Sequence, residues 1–312
     1  MRFSGFEEVG KYDSYKKHLF EDIFLFSTGK NIKQDEASPE FEIPCVRYGE
    51  LYHLYNEVIS KVVNKTNLDK SELRFSDGNE ILLPSAGEDP LDIGSASALT
   101  VKDVAIGRTI NILKPARIDV YSPIYVSYYI NQKLKKPISA LSKGVSISNV
   151  YNSDLKTLKI ILPNLSEQIK IAEFLSLINA RIETQIQIIE ELKSLIKTTF
   201  KSFHNKVEKT EYKISDLGNS FRTMNLSKED LSTKGEKCIL YGELFTTYDC
   251  VIDEVHLYYN DIKNIKIMLP NLESQNFLAD LMRLLRDKIQ NEQKLLSHYT
   301  EQKKYLLVNM FI

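Results

Sequence analysis

The sequence predicts an α+β protein that combines one mixed α/β domain with two long helices forming a coiled coil, and with a small remnant of a second domain. Three observations lead to this prediction. A strand–helix stretch occurs twice, the two copies share one apolar seam, and a globular block occurs only once. They place a first domain at 1–162, a long helix at 163–206, the remnant at 207–265, and a second strand and long helix at 266–312.

The duplicated stretch is "KIILPNLSEQIKIAEFL" at 159–175 and "KIMLPNLESQNFLADLM" at 266–282, two segments separated by 107 positions. Each copy begins with a short apolar run that ends at a proline, which is typical of a strand end. Asn164 or Ser166 in the first copy, and Asn271 in the second, are suited to accept backbone N–H groups at a helix N-terminus. Each copy therefore predicts a strand followed directly by a capped helix.

Apolar residues then recur at steps of three and four along both helices, with one step of seven. A seam of this kind, sustained over four heptads, favours a coiled coil over the surface helix of a globular domain. About forty residues in helical form make a rod of about 60 Å. The predicted interface residues are Ile171, Leu175, Ile178, Ile182, Ile189, Leu192, Leu278, Met282, Leu285, Ile289 and Leu296.

A second pair of matches has a different spacing. "CVRYGELYHLY" at 45–55 corresponds to "CILYGELFTTY" at 238–248, 193 positions later, and we predict a strand over each "YGEL". The two spacings differ by 86, so about 86 residues, roughly 60–147, have no counterpart in the second half. The second half therefore keeps both ends of a domain without its middle, too little to bury a core of its own.

The unpaired block predicts a mixed α+β domain. Its apolar runs "EILLPS", "ALTVKDVAIG" and "TINILKP" predict strands, and "SPIYVSYYINQKL" predicts an amphipathic helix. Residues 101–150 hold eight basic side chains against two acidic ones, whereas the whole chain has a net charge of −1. This local excess indicates either a phosphate-facing surface or a solvated face that balances acidic stretches elsewhere.

Signatures of catalysis are absent from the sequence. It contains no phosphate-binding glycine loop, the five histidines lack metal-ligand spacing, and there is no C-x-x-C. We therefore expect no catalytic residues, no metal and no cofactor. Three cysteines indicate a reducing, cytoplasmic compartment. Cys45 and Cys238 occupy matched apolar positions, which favours buried side chains over nucleophiles. The lack of an apolar N-terminal core or of an 18-residue apolar window predicts neither a signal peptide nor a membrane span.

Two polar loops are candidates for binding. Residues 84–98, "PSAGEDPLDIGSASA", carry three carboxylates but lack the register of a calcium loop, so a flexible polar loop near a ligand is the stronger interpretation. Residues 142–149, "SKGVSISN", could offer backbone N–H and hydroxyl groups to a phosphate, or could form a turn before the next strand.

The pattern resembles the specificity subunit of type I restriction–modification systems. The matching stretches are "RYGEL", "ILLPSAGE", "AIGRTINIL", "SYYIN", "GVSISNVYNSDLKTLKIILPNLSEQIKIAEFL" and "DIKNIKIMLPNLESQNFLADLM", which cover most of the chain. The resemblance implies a target-recognition domain that contacts one half of a split double-stranded DNA site. It also implies antiparallel helices that separate two such domains and dock methyltransferase subunits, with restriction subunits as further partners. Catalysis would belong to those partners, and the second recognition domain is largely deleted here.

Base-edge recognition requires Arg, Lys, Asn, Gln or Ser side chains that reach a groove. The DNA-binding candidates near the polar loops are Lys30, Arg47, Arg74, Ser85, Lys143 and Ser146. Each could also be an ordinary surface residue, and Arg47 a structural strand residue. A module that docks partners without selective DNA recognition, such as the product of a silent truncated allele, is the alternative function. A homodimer that presents two identical recognition domains is the alternative to a monomer with paired internal helices.

Overall fold

The chain forms two compact units. Unit 1 comprises Met1–Gln187 with Gln293–Ile312, and unit 2 comprises Ile188–Glu292. No helix within the described ranges has the length and apolar character that a membrane span needs. The structure, a computed structural model, describes residues 15–117, 120–144, 147–218 and 263–311.

Two sheets form the body of unit 1. The strands of unit 1 are β1 (Lys16–Leu19), β2 (Phe24–Thr28), β3 (Ile43–Val46), β4 (Val58–Ile59), β5 (Lys65–Thr66), β6 (Phe75–Asp77), β7 (Glu80–Pro84), β8 (Ala86–Gly87), β9 (Ser97–Leu99), β10 (Lys102–Ile106), β11 (Ile110–Pro115), β12 (Ser148–Asn149) and β13 (Lys159–Leu162). Strand β1 pairs with β13, and β8 with β12, in two separate two-stranded sheets. The five-stranded sheet has the order β2–β11–β7–β9–β4, and the four-stranded sheet has the order β5–β3–β10–β6. The pairs β3–β10 and β4–β9 are parallel, and the other neighbours within these two sheets are antiparallel.

The helices of unit 1 are short except for the last. They are α1 (Phe20–Ile23), α2 (Glu50–His53), α3 (Pro90–Ile93), α4 (Pro123–Tyr129), α5 (Lys135–Ala140), α6 (Asn152–Leu155) and α7 (Leu165–Lys206). A π-helical segment, Ile130–Leu134, joins α4 to α5, and single 3-10 turns lie at Gln34–Glu36 and Lys70–Glu72.

The predicted strands form, and the predicted helix is buried more completely than expected. All five residues of β7 are buried, as expected for a central strand covered on both faces. The run "ALTVKDVAIG" forms two strands, β9 and β10, rather than one. The amphipathic interpretation of "SPIYVSYYINQKL" is wrong, because every residue from Tyr125 to Ile130 is buried.

The prediction of a strand over "YGEL" is also wrong for the first copy, and the second copy, within 238–248, lies outside the described residues. Strand β3 ends at Val46, and the following residues turn into α2, which begins at Glu50. The Glu50 carboxylate accepts a hydrogen bond from the backbone N–H of Arg47, at 3.2 Å. This side-chain contact holds the turn closed, and the alternation of apolar and polar residues in the sequence does not reveal it.

The long helices pack against each other inside each unit. Helix α9 (Leu272–Met310) follows strand β15 (Lys266–Pro270). In unit 1 the guanidinium of Arg181 on α7 lies 4.9 Å from the ring centroid of Tyr299 on α9. The first turns of α7 and the last turns of α9 belong to one buried cluster, so the two segments run antiparallel there.

Unit 2 contains the other ends of the long helices and a two-stranded sheet. Strand β14 (Lys209–Lys213) pairs antiparallel with β15, and a short helix α8 (Ile214–Leu217) follows β14. The rings of Phe203 on α7 and Phe277 on α9 stack with centroids 6.3 Å apart.

The duplication seen in the sequence is repeated in the contacts. Strand β1 pairs antiparallel with β13, as β14 does with β15. The Asn164 side chain accepts the Glu167 N–H at 2.9 Å, and Asn271 accepts the Ser274 N–H at 2.8 Å, which confirms the predicted caps. The chain therefore holds two copies of one structural element, in which a strand pair leads into a capped long helix.

Candidate nucleic-acid interface

Two adjoining hollows on unit 1 form a cleft where several loops meet. One has a volume of about 720 Å³ and the other of about 470 Å³. They share the side chains of Tyr48, Tyr52, His53 and Arg108, which come from the α2 turn and from the β10–β11 loop. The cleft is thus built from segments far apart in sequence, and the two sheets hold those segments in place.

The floor of the cleft is fixed by a close backbone crossing. A Cβ atom on Gly29 would lie 1.9 Å from the carbonyl oxygen of Gly107, so no other residue fits without a backbone shift. The Arg108 N–H donates to the carbonyl of Asn31 at 2.8 Å. This crossing fixes the β10–β11 loop against the segment that follows β2.

Three residues beside the crossing have left-handed backbone conformations. Their φ angles are 44° at Asn31, 54° at Ile32 and 67° at Thr109. A β-branched residue rarely adopts such a conformation, and it persists only when the surrounding structure imposes it. Ile32 is held there by burial, since its side chain is only 3 % exposed. Strain of this kind concentrates at functional positions, which supports a binding role for the cleft.

Arg47 lines the smaller hollow and is held by a buried carboxylate. Its Nε donates to Glu50 Oε1 at 2.8 Å, and the Asn64 side chain donates to the same oxygen at 2.9 Å. Glu50 is 5 % exposed, so these contacts compensate a buried charge. One edge of the Arg47 guanidinium is therefore occupied, and the side chain is directed by the protein before any ligand arrives.

Arg108 differs from Arg47 in having no such partner among the residues that the structure describes. Its side chain is exposed, and within the described ranges it makes no hydrogen bond or ion pair. An arginine of this kind keeps its whole donor set for an acceptor such as guanine or a phosphate. Lys33, on the rim of the smaller hollow, is only loosely paired with Glu36 at 4.0 Å.

Aromatic rings line the wall between the two hollows. The Tyr48 and Tyr52 rings are 6.5 Å apart, and the rings of Tyr52 and His53 make an edge-to-face contact at 4.5 Å. Burial raises the pKa of the Tyr52 hydroxyl, and the neighbouring Tyr48, Asp92 and Glu88 raise it further. The hydroxyl therefore remains a hydrogen-bond donor at any physiological pH.

The 84–98 segment contributes carboxylates to the larger hollow, which Arg108 also lines. Glu88, Asp89 and Asp92 all line it. One oxygen of Asp89 is used to cap α3, where it accepts the Leu91 N–H at 2.8 Å. In the part of the chain that the structure describes, no group of three or more His, Cys, Asp or Glu side chains is arranged to hold a metal ion. The carboxylates oppose a phosphate but suit an amino group such as that of cytosine.

The sequence-predicted DNA-binding residues occupy several positions around this cleft. Arg47 lines it. Lys30 lies beside the backbone crossing, where its N–H donates to the carbonyl of Ile106 at 2.9 Å. Ser85 precedes two cleft residues, and its backbone joins Thr109 to Val150 through hydrogen bonds of 2.9 Å each. Of these three residues, Arg47 lines the cleft, whereas Lys30 and Ser85 are neighbours of segments that line it.

The other predicted residues lie elsewhere. Arg74 precedes β6 and does not line the cleft, and its buried Nε has no hydrogen-bond partner among the described atoms. The Lys143 ammonium pairs with Asp154 at 2.8 Å, and this hydrogen bond lowers the pKa of the Asp154 carboxyl. Ser146 lies outside the described residues.

The positive charge of residues 101–150 is not gathered at the cleft. Arg108 is the basic residue of that stretch that lines it among the described residues. Lys114 is paired with Asp77 at 2.6 Å and with buried Glu80 at 3.4 Å. The local charge excess therefore does not identify which side chain lines the cleft. The cleft residues absent from the sequence-based candidates include Lys33, Tyr48, Tyr52, His53 and Arg108.

The seam positions lie on the helix surfaces in graded burial. Ile171, Leu175 and Ile189 are buried, and the other eight predicted seam residues are half-buried. Cys45, on β3, is buried and free, and burial together with the nearby Glu50 carboxylate raises the pKa of its thiol to about 12. Such a thiol is protonated and unreactive at neutral pH.

Comparison with known proteins places this domain in one family. Residues 13–194 match the family described as the type I restriction modification DNA specificity domain. A stretch of 156 residues is 23 % identical to the type I restriction enzyme StySPI specificity subunit of Salmonella potsdam, covering 50 % of this chain and 33 % of the relative. The EcoKI specificity subunit of Escherichia coli K12 is 22 % identical over 155 residues, with the same coverage.

A solved structure shares the fold of the chain. The crystal structure of the S subunit of a type I restriction–modification system from Mycoplasma genitalium superposes with a TM-score of 0.62 at 16 % identity, over 98 % of each chain. The matched stretch spans about a third of the length of the two curated relatives. Because the family match covers more than half of the sequence, the chain belongs to the type I restriction–modification DNA specificity family.

Proposed function

We propose that this chain is a DNA sequence-recognition subunit that contacts one half of a split target through the cleft of unit 1. The observation that carries the proposal is Arg108, which is exposed, has no side-chain partner among the described residues, and lines both hollows with Tyr48 on a strained loop of a specificity-family domain. An unpaired arginine is the side chain that most often recognises guanine, through a bidentate contact to its O6 and N7.

The charges of the cleft favour discrimination over simple attraction. Lys33 and Arg47 line the smaller hollow, Glu88 and Asp92 line the larger one, and Arg108 lines both. A surface that only gripped phosphates would exclude those carboxylates, since like charges repel. We therefore assign the basic rim to phosphates and guanine, and the acidic wall to base amino groups that donate hydrogen bonds.

The helices serve as the docking surface for methyltransferase subunits, with restriction subunits as further partners. Support comes from apolar side chains that the helix pairs leave exposed, including Leu177 at 70 %, Val308 at 63 % and Leu284 at 64 %. Exposed apolar residues on helices are the usual anchors of protein–protein contacts. Methyl transfer then belongs to the partner, and the chain itself is non-catalytic.

The test is a binding selection in the assembled complex. The chain, purified with its methyltransferase subunits, is presented with a randomised duplex library at modest salt, and the bound DNA is sequenced. We expect one enriched half-site, or a gapped palindrome if two copies of the chain are present. Arg108→Ala should weaken binding by about 1–3 kcal/mol and relax one base position.

A matched control is Lys136→Ala, which removes an exposed charge on α5 away from the cleft. It should leave the enriched motif unchanged. If Arg108→Ala lowers the salt dependence by about one phosphate contact but keeps the motif, Arg108 contacts the backbone and not a base. A complex that forms but enriches no motif would overturn the DNA-recognition proposal and favour an interaction module.

A further inference from the structure

An apolar groove lies in unit 2, at the junction of the two helices with the β14–β15 sheet. It has a volume of about 430 Å³. Its walls come from the last turns of α7, from the end of β15 and from the first turns of α9. Its lining includes Phe200, Phe203, Gln275, Leu278, Ala279 and Met282.

The corresponding place in the first copy is filled. At the spacing of 107 positions, Leu278, Ala279 and Met282 correspond to Ile171, Ala172 and Leu175. Those three residues of unit 1 are 3 %, 4 % and 0 % exposed. Their counterparts in unit 2 are half-buried or exposed.

The other wall shows the same contrast. Phe200 and Phe203 correspond to Leu307 and Met310, each of which is 6 % exposed in the core of unit 1. Phe200, in unit 2, is 53 % exposed. Both walls of the groove are therefore surfaces that the first copy buries.

Helix α4 covers this place in the first copy. The side chain of Gln168 accepts the Ser122 N–H, which begins α4, at 2.9 Å. The rings of Tyr125 and Tyr129 lie 5.2 Å and 6.0 Å from the ring of Phe311. The occupant of the first site is thus a short helix with a polar N-terminus and aromatic residues at positions i and i+4.

The second copy keeps the polar part of this arrangement. Gln275 corresponds to Gln168, and both donate through Nε2 to the carbonyl of the proline that ends the strand, at 2.7 Å for Pro270 and 2.9 Å for Pro163. In both copies this bond leaves Oε1 facing away from the strand end. The Oε1 of Gln275 makes no hydrogen bond to the described residues, so it is available to an incoming N–H.

We propose that this groove binds a short aromatic helix of a partner protein, in the way that unit 1 binds its own α4. Helix α4 lies within residues 60–147, the block that has no counterpart in the second half of the sequence. A second copy of the chain could supply α4 only by opening its own core, because Tyr125 is 1 % exposed and Tyr128 is fully buried. A helix in an apolar groove, anchored at i and i+4, is a common mode of recognition between proteins. The inference is independent of DNA recognition.

The test uses the peptide of residues 121–134, YSPIYVSYYINQKL, as a labelled probe. Fluorescence anisotropy with the full chain should show saturable binding. Ala279→Asp places a charge in the groove and should weaken binding by roughly tenfold or more. Gln290→Asp is the matched control, because it introduces the same charge at an exposed position of the same helix that does not line the groove, and it should leave peptide binding unchanged. A peptide with both i and i+4 tyrosines replaced by serine should not bind.

Three results would overturn the proposal. The first is no saturable binding to a chain whose circular dichroism shows intact helices. The second is a dimer of the chain that Ala279→Asp dissociates, which would make a second copy the occupant. The third is peptide binding only after the apolar residues of 239–248 are changed to serine, which would assign the groove to a segment of the same chain.

Discussion

Replacing Gln168 by alanine tests whether the first strand–helix junction is held by the domain that covers it. The Gln168 side chain is fully buried. It accepts the Ser122 N–H at 2.9 Å and donates to the carbonyls of Pro163 at 2.9 Å and Val120 at 3.4 Å. Two good hydrogen bonds at about 1 kcal/mol each, with the added cost of leaving a buried N–H unpaired, give a loss of about 2–4 kcal/mol.

Gln275→Ala is the comparison that the duplication provides. Within the described residues this side chain makes one hydrogen bond, to Pro270 at 2.7 Å, and it is only part-buried. Its removal should lower the free energy of unfolding by about 0.5–1 kcal/mol. Both variants are unfolded in urea and followed by circular dichroism. The slopes of the two transitions are compared first, because the midpoints report a change in stability only if the slope is unchanged.

The expected outcome is a loss at Gln168 that is at least twice the loss at Gln275. Equal losses would contradict the reasoning, because they would show that the helix start alone sets the stability and that the covering domain adds nothing. A large loss at Gln275 alone would also contradict it, and would indicate that the groove of unit 2 is covered in solution. The two substitutions remove the same atoms, so differences in side-chain entropy largely cancel.

Three further outcomes follow from the described contacts. Glu80→Ala removes a fully buried carboxylate that accepts three backbone N–H groups and faces a lysine, so urea unfolding should show a loss of about 3–5 kcal/mol. Because its partner Lys143 lowers the pKa of Asp154, this carboxyl stabilises the fold above its unfolded pKa, near 4, and the benefit is lost as pH falls through the lower folded value. Urea unfolding from pH 6 to pH 2 should therefore show the advantage over Asp154→Asn shrinking below pH 4, and an advantage that stays constant would refute this. Gly29→Ala should lower DNA affinity in the assembled complex by tenfold or more by displacing the β10–β11 loop, whereas Gly218→Ala, whose added Cβ would meet no atom within 4 Å, should not.

The strand-to-helix junctions could be predicted because the signals that specify them are local. A proline ends each strand, and an asparagine accepts the first free N–H groups of each helix. The seam could also be predicted, because the spacing of its apolar residues in the sequence shows the helical period directly. Both features occur in each of the two copies, so the second copy supports the prediction made from the first.

The cleft could not be predicted because its residues meet only through tertiary contacts. Arg108 was counted in a basic stretch, yet its neighbours there, such as Lys114, are bound to carboxylates from other strands. The left-handed conformation of Ile32 is imposed by burial and contradicts its local preference. The "YGEL" turn failed as a strand because a single side chain, Glu50, closes it. Individual tertiary contacts of this kind leave no periodic pattern and no bias of composition in the sequence.

Comparison of the two copies shows which contacts of the strand–helix junction form without a covering helix. In unit 2 the strand pair, the asparagine cap and the glutamine bond to the strand end all remain without a counterpart of α4 among the described residues. The junction is therefore stabilised by its own hydrogen bonds. Burial of an apolar side chain is worth about 1.5–3 kcal/mol, and Leu278, Met282 and Phe200 leave part of that stabilisation unused. A helix that docks in the groove of unit 2 would bury these side chains further, and that burial would stabilise the complex. A junction without its covering helix is therefore suited to bind a helix of a partner protein.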